Sequence, residues 1–438
     1  MNNQYKNFTN KVKEHKILLQ NFSYLSALQI FNLILPLITY PYLIRVLGKE
    51  TYGLVVFAQA IVAYLVLLVN FGFNISATRE ISIYRDDKEK LSEIVSSILI
   101  IKGTLFLFSC IIMGVLVMVI PQAQGYENLF LLSLWACLYD VIFPMWYFQG
   151  IEQMKYITYI SLISRLVFLA LIFIFIHTPS DYIFVPIFYG LGALIAGILA
   201  LIIIFRKHQI HFIWQNYERI KYYFKGSIPI FISNFFISIY VYSNKVIIGA
   251  YIGLSEVAYF DLAEKITSVL KIPQNILSQS LFPKISKEKN IKFIRKVFNI
   301  SIITNTIMVI VSILLSNYIV LAIGGSQMTK AVVVLNIILL TIPFIVMSNT
   351  FGIQLLIPFG FKKEFKNAYI FSSFFYLAQI LIFRLISDLT IVSLSISLLN
   401  TEIFVAVYFL YLCRKNISNF KSHFYFLSKN NQFVEESS

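Results

Sequence analysis

Positively charged residues alternate between the connections that join twelve apolar blocks in this chain. Each block is long enough to cross the hydrocarbon core of a bilayer, which takes about 20 helical residues. Nearly every second connection is rich in Lys and Arg, while the others carry almost none. The predicted spans are 17–44, 52–74, 92–120, 127–150, 156–177, 182–205, 225–252, 256–283, 294–321, 329–357, 366–386 and 389–413.

The distribution of basic residues also predicts an orientation. Of the 36 Lys and Arg residues, 27 fall in the termini and connections on one side, four fall on the other side and five lie inside spans. Cytoplasmic loops of membrane proteins retain Lys and Arg, so the richer side is predicted to be cytoplasmic. The sequence therefore predicts an even number of spans, with both termini in the cytoplasm.

Composition supports a membrane protein and disfavours other classes. Only 13% of the 438 residues are charged and 58% are hydrophobic, whereas a soluble domain carries about 25% charged residues. The formal charge of +15 sits mostly in short loops, where it favours contact with anionic lipid over nucleic acid. The three cysteines show no metal-binding or disulfide spacing, so no cofactor or metal is expected.

The chain lacks the short motifs of membrane-bound motors and hydrolases. There is no Gly-rich phosphate-binding loop, no His-Glu-x-x-His and no Gly-x-Ser-x-Gly. No connection on the side poor in basic residues is long enough to fold into a catalytic domain. These features predict a protein that is not an enzyme.

A faint internal repeat suggests two halves. The segment 48–59 resembles 253–264, at an offset of 205 residues, and each copy lies at the turn between the first two spans of a six-span half. Because six is even, the halves have the same orientation, as in parallel repeats related by an axis along the membrane normal. The alternative is a chance similarity of two tight turns. The predicted lobes are residues 1–215 and 216–438.

Ionisable residues inside predicted spans are the candidates for function. A charge at the centre of a span costs about 2.5–3.5 kcal/mol on insertion, so such residues usually face protein or water. The candidates are Lys102, Asp140, Arg165, Lys245, Asp261, Glu264, Lys265, Lys271 and Glu402.

The eighth predicted span carries the densest set of charges. Asp261 and Lys265 are four residues apart and share a helix face, and Glu264 and Lys271 also fall on one face. A functional interpretation is a patch that binds a charged substrate or titrates a coupling ion. The structural alternative is a self-neutralising pair that anchors helices. Lys245, in the seventh span, is the expected neighbour across helices.

Three further charges allow different interpretations. Lys102 lies near the cytoplasmic end of its predicted span, so its amine is expected to reach the interface. Asp140 could serve function or form a polar contact between helices. Arg165, in the middle of its span, could face a cavity or only its serine neighbours.

Three segments resemble a known family. They are Tyr40–Ala58 (YPYLIRVLGKETYGLVVFA), Phe71–Glu80 (FGFNISATRE) and Trp146–Glu152 (WYFQGIE). In these segments the chain resembles the Wzx-type O-antigen flippases of the polysaccharide-transport family, in the superfamily that also holds multidrug exporters and lipid II flippases. The motifs lie in the first 155 residues, whereas the topology agrees over the whole chain.

The resemblance implies a fold and an activity. The fold would be all-α, with 12 transmembrane helices in two six-helix lobes related by pseudo-two-fold symmetry around a cationic cavity. The activity would be transfer of an undecaprenyl-pyrophosphate-linked oligosaccharide from the cytoplasmic to the periplasmic leaflet, driven by cation antiport. A cation-coupled exporter of small molecules is the alternative.

The resemblance also implies roles for the charged residues. Basic side chains would hold the pyrophosphate, because Arg and Lys pair with phosphate oxygens. Some intramembrane charges and two loop arginines are candidates for binding substrate: Arg45, Arg79, Asp140, Arg165, Lys245 and Lys265. The candidates for ion coupling are Asp261 and Glu264. The expected location is the bacterial inner membrane, with membrane lipid and other polysaccharide-assembly proteins as partners.

Overall fold

The computed structural model describes residues 2–417, Phe420 and Phe424, and this part of the chain contains helices and no strand. The predicted cytoplasmic residues Lys421 and Lys429 lie outside the described residues. The helices are α1 Asn2–Asn70, α2 Phe73–Ile83, α3 Lys88–Val119, α4 Glu127–Ser133, α5 Trp135–Ile142, α6 Met145–Gly150, α7 Met154–Phe175, α8 Phe184–Ile202, α9 Tyr217–Tyr251, α10 Leu254–Leu270, α11 Ile272–Glu288, α12 Ile291–Leu314, α13 Ser316–Gly324, α14 Ala331–Leu339, α15 Thr341–Ser348, α16 Lys362–Ile386 and α17 Ile391–Asn416. Residues 203–207 and 349–356 are π-helical.

These helices account for the twelve predicted spans. Ten helical segments in the described part are long and apolar enough to cross a membrane. The first holds two predicted spans, because Gly48 interrupts α1 with a left-handed φ of 74°. The eighth span consists of α10 and α11, of 17 residues each, which meet at Lys271 just before Pro273. The first segment counts as two spans and the α10–α11 pair adds one, so the ten segments correspond to the twelve predicted spans.

Contacts divide the chain into two compact units. The first unit comprises Met1–Ser238 and Lys245–Ala258, and the second comprises Ile239–Asn244 and Tyr259–Ser438. Helix α9 therefore contributes residues to both units. The predicted lobe boundary between residues 215 and 216 stays a prediction.

The first unit is built on aromatic and aliphatic side chains from helices α1–α8. Ile81 of α2 and Trp146 of α6 are fully buried in one hydrophobic cluster. A methyl group on Gly150 would lie 2.5 Å from Ile81, so only glycine allows α6 to approach α2 this closely. The cluster fixes the end of the fourth predicted span, which carries Asp140.

The second unit has its own hydrophobic cluster. Phe351 and Leu355, in the π-helical segment, are buried against Phe409 of α17. Phe365 of α16 stacks on Phe409 with ring centroids 5.3 Å apart and an interplanar angle of 6°. This packing holds α16 and α17 together and positions Glu402, two turns from Phe409 along α17.

The two turns of the proposed repeat meet within the first unit. Gly48 and Gly253 both adopt a positive φ, of 74° and 155°, so each turn uses a conformation that favours glycine. Gly53 packs directly on the second turn, because a methyl group there would lie 1.8 Å from the carbonyl oxygen of Leu254. The sequence similarity thus coincides with a close contact between the two segments.

Candidate functional site

The first unit contains a buried ion pair deep among its helices. Lys102 of α3 is only 1% exposed, and its Nζ lies 2.7 Å from Asp140 Oδ2. The same amine donates to the backbone carbonyl of Asp140 at 2.7 Å. Asn70, at the end of α1, donates its amide to both carboxylate oxygens at 3.1 and 3.4 Å. The Asp140 carboxylate is therefore neutralised and held from two other helices.

The expectation that Lys102 reaches the interface is wrong. Helix α3 begins at Lys88, so Lys102 lies 14 residues into it, about 21 Å along the axis at 1.5 Å per residue. Its amine pairs with the Asp140 carboxylate inside the unit instead of reaching outward.

Arg165 lies in a different environment within the same unit. It lines a cleft of about 50 Å³ beside Leu35, Tyr139, Ser161, Ser164, Phe168, Tyr189 and Ala193. No carboxylate of the described residues forms an ion pair with Arg165. The residue is half-buried in the middle of α7, so its guanidinium brings an uncompensated positive charge into this cleft.

Tyr139 connects the two charged features of the first unit. It lines the cleft together with Ser161, and it lies within electrostatic range of both Arg165 and Asp140. Phe168 and Tyr189 pack edge to face across the cleft with ring centroids 5.2 Å apart. The cleft thus combines one guanidinium with hydroxyl groups and aromatic rings, which suits a polar, anionic group bearing sugar rings.

The second unit contains the predicted charge patch of the eighth span. Asp261 is 1% exposed and its Oδ1 lies 3.9 Å from Nζ of Lys265, as their spacing predicted. Lys271 lies within electrostatic range of Glu264, on the adjoining helix, and of Glu402 on α17. Five ionisable groups of both signs therefore occur inside this unit.

Tyrosine side chains surround the Glu402 end of this patch. Tyr240 of α9 and Tyr369 of α16 stack in parallel, with ring centroids 6.5 Å apart, and both interact electrostatically with Glu402. Nearby on the same helices, the Tyr376 hydroxyl donates to Asn244 Oδ1 at 2.7 Å, with both side chains buried. The sequence analysis included Lys271 and Glu402 among the intramembrane candidates, but it assigned neither a substrate-binding nor an ion-coupling role.

The remaining candidates lie apart from these features. Arg45 is exposed on α1 shortly before Gly48, and Arg79 is exposed on α2. Lys245 is half-buried on α9 within the first unit, whereas Lys265 belongs to the second. Binding and coupling roles for all of these residues stay predictions.

Comparison with known proteins agrees with the resemblance found in the sequence. Residues 18–289 match the family model described as polysaccharide biosynthesis protein. The chain is 31% identical over 416 residues to the "Putative O-antigen transporter" of Escherichia coli K12, covering 93% of this chain and 98% of that one.

Two solved structures share the fold. The lipid II flippase MurJ, in an inward closed conformation, aligns with a TM-score of 0.74 at 15% identity, over 89% of this chain and 87% of that one. An inward-facing multidrug resistance transporter of the MATE family aligns with a TM-score of 0.68 at 14% identity, over 88% and 100%. The predicted all-α, two-lobe fold of a polytopic transporter is confirmed. With more than half of its length matched by the family model, the chain belongs to the polysaccharide biosynthesis protein family of membrane transporters.

Proposed function

We propose that this transporter moves an undecaprenyl-pyrophosphate-linked oligosaccharide from the cytoplasmic to the periplasmic leaflet of the bacterial inner membrane by alternating access. The O-antigen transporter of similar sequence supports the substrate class. The basic residues concentrated on one side support cytoplasmic termini. The observation that carries the proposal is the uncompensated charge of Arg165 in its cleft.

Arg165 suits the pyrophosphate of such a substrate. A guanidinium presents parallel N–H donors that match two phosphate oxygens, and these charge-assisted bonds strengthen where water is scarce. Ser161 and Ser164 add hydroxyl donors at the same cleft, and the rings of Tyr139 and Tyr189 offer faces for sugar. The cleft volume of about 50 Å³ leaves room for a small polar group beside Arg165, so the rest of the substrate would lie outside the cleft.

Energy would come from a coupling cation in the second unit. The carboxylates of Asp261 and Glu264 are the proposed coupling groups, because each lies beside a lysine whose interaction changes when the carboxylate binds a cation. Glu402 joins them as a third candidate through its interaction with Lys271. Binding and release of the cation would then alter the charge balance of this unit during each transport cycle.

Export of small molecules is the second candidate function. The fold is shared with a multidrug resistance transporter, and aromatic rings line the Arg165 cleft. The unpaired guanidinium favours an anionic ligand over the cations that many drugs form. Loss of drug tolerance with normal surface polysaccharide would identify this alternative.

Exchange of Arg165 for glutamine tests the proposal. In a strain that lacks the gene, Arg165→Gln is expected to restore at least tenfold less surface polysaccharide than the unchanged protein, because the phosphate loses its charged partner. The lipid-linked unit should accumulate on the inner leaflet. Arg165→Lys is expected to retain part of the activity, because it keeps the positive charge but loses the parallel N–H donors of the guanidinium.

Arg384 provides the matched control. Its guanidinium is exposed at the end of α16 beside Asp388, so Arg384→Gln should leave polysaccharide unchanged. Membrane abundance of each variant is measured by immunoblot to separate folding from transport. Normal polysaccharide in a clean deletion strain without a redundant transporter would contradict the proposed function. Normal activity of Arg165→Gln would contradict the role of the cleft.

A further inference from the structure

The connection between α8 and α9 presents an aromatic surface to its surroundings. Trp214 is 80% exposed and Tyr217 is 70% exposed, and Phe212 and Ile213 beside them are also exposed. Phe212 and Trp214 pack edge to face with ring centroids 5.7 Å apart. We call residues 212–217 the linker patch.

The linker patch is held in place by the preceding residues. The backbone N–H groups of His211 and Ile213 donate to the hydroxyls of Ser92 and Ser96 on α3, at 3.1 and 2.9 Å. Ile210 is buried in the hydrophobic cluster of the first unit. This irregular connection therefore runs along α3 with the Ile210 side chain buried. Its aromatic side chains are exposed.

The start of the connection is also part of the protein interior. His208 contacts the Tyr147 hydroxyl through Nδ1 at 3.0 Å, and burial lowers the pKa of His208 below its ordinary value. The contact of His208 with Tyr147 and the burial of Ile210 hold the start of the connection against the first unit. The linker patch therefore stays exposed in the folded protein.

The position of the linker patch along the chain indicates that the membrane interface surrounds it. The patch lies in the short connection between the predicted spans 182–205 and 225–252, within 20 residues of both, so it is expected to lie close to the membrane surface. Tryptophan and tyrosine favour this interfacial depth, because their rings are apolar and their N–H or O–H groups are polar. An aqueous position would leave several adjacent large apolar side chains in water.

Basic residues on both sides of the linker patch add charge complementarity. Arg206 and Lys207 precede it and Lys225 follows it, and all three are exposed. Nζ of Lys221 lies 5.4 Å from the centre of the Tyr217 ring. Each Lys or Arg near a membrane surface gains from the negative potential of anionic lipids. The surroundings that match this surface are therefore an interface rich in anionic phospholipid.

We propose that the linker patch is an interfacial anchor that inserts its aromatic side chains among the headgroups and binds anionic phospholipid through the flanking basic residues. The patch would insert into the cytoplasmic leaflet, and this assignment of the leaflet rests on the proposed orientation of the chain. Insertion itself depends only on the fold. The anchor would fix the start of α9, the helix that contributes to both compact units, against the membrane surface.

Tryptophan fluorescence tests the anchor directly, since the chain has only three tryptophans. The full-length double variant Trp135→Phe/Trp146→Phe retains Trp214 and is reconstituted in vesicles with phospholipids brominated at shallow or deep acyl positions. Shallow bromines are expected to quench Trp214 at least twice as strongly as deep ones. Aqueous iodide should quench it weakly.

The matched control retains Trp146 instead, which is 0% exposed in the hydrophobic cluster and should resist both quenchers. If a double variant fails to fold, the difference between the emission of the unchanged protein and that of Trp214→Phe reports the same residue. Strong iodide quenching of Trp214 without quenching by bromolipid would overturn the proposal.

A separate experiment tests whether anionic lipid strengthens the insertion of the linker patch. Shallow quenching is expected to rise when phosphatidylglycerol replaces phosphatidylcholine, and Lys207→Gln/Lys221→Gln/Lys225→Gln should remove this rise. A response to phosphatidylglycerol that is unchanged in the triple variant would contradict lipid binding by these lysines. None of these measurements requires transport, so their failure is distinguishable from failure of the proposed function.

Discussion

Replacement of Lys102 by methionine is expected to remove most of the folded protein from the membrane. The variant keeps the length of the side chain but leaves the Asp140 carboxylate without its cationic partner. Loss of one member of a buried ion pair costs about 3–5 kcal/mol, which is at least a hundredfold shift in the folding equilibrium. Asn70 still donates to the carboxylate but carries no charge to offset it.

The double variant Lys102→Met/Asp140→Leu separates charge from packing. Replacing both partners with apolar side chains removes the buried charge, so much of the stability should return. Membrane abundance and the thermal unfolding midpoint in detergent are measured for the single and double variants, together with Asp140→Leu. A midpoint of Lys102→Met equal to that of the unchanged protein would show that the pair contributes nothing.

Transport by the double variant addresses the function of the pair. If the protein is abundant and restores surface polysaccharide, Lys102 and Asp140 serve the fold alone. If it is abundant and inactive, the Asp140 carboxylate takes part in transport, as the sequence-based candidacy of Asp140 proposes. The two outcomes differ in activity at equal abundance, so folding defects do not confuse them.

Replacement of Gly53 by alanine is expected to be the second strongly damaging change. Its methyl group would lie 1.8 Å from the Leu254 carbonyl oxygen and 2.7 Å from the carbonyl carbon. Both atoms belong to the backbone, so relief requires a shift of α10 relative to α1. Overpacking of a tight contact typically costs about 1–3 kcal/mol, and a clash with backbone belongs at the upper end.

Gly103→Ala is the matched control for this prediction. Gly103 also lies within a helix, but nothing is found within 4 Å of a methyl group placed there. Alanine at that position should leave the unfolding midpoint unchanged or raise it, because glycine in a helix interior is less stable by roughly 0.5–1 kcal/mol. Equal midpoints for Gly53→Ala and the unchanged protein would contradict the close contact.

The spans were predictable because the hydropathy of each segment and the charge of each loop depend only on the local sequence. An apolar block of sufficient length partitions into lipid whatever its neighbours, and basic loops alternate whatever the packing. The sequence therefore predicted the twelve spans, and helix periodicity predicted the pairing of Asp261 with Lys265 within one helix.

Contacts between helices were not predictable in the same way. The Lys102 prediction failed because no linear pattern indicates that Asp140 faces Lys102. Likewise, the basic connection between α8 and α9 was evident in the sequence. Its bonds to Ser92 and Ser96, and the exposure of Trp214 that follows from them, were not.

The sequence by itself determined the class of protein, its spans, the predicted side of each connection and its family resemblance. The tertiary structure decided which intramembrane charges are neutralised, since Asp140 has a lysine partner and Arg165 has no carboxylate partner among the described residues. The physical reason is that partitioning into lipid depends on the composition of each segment, whereas neutralisation depends on the rotation and depth of one helix against another.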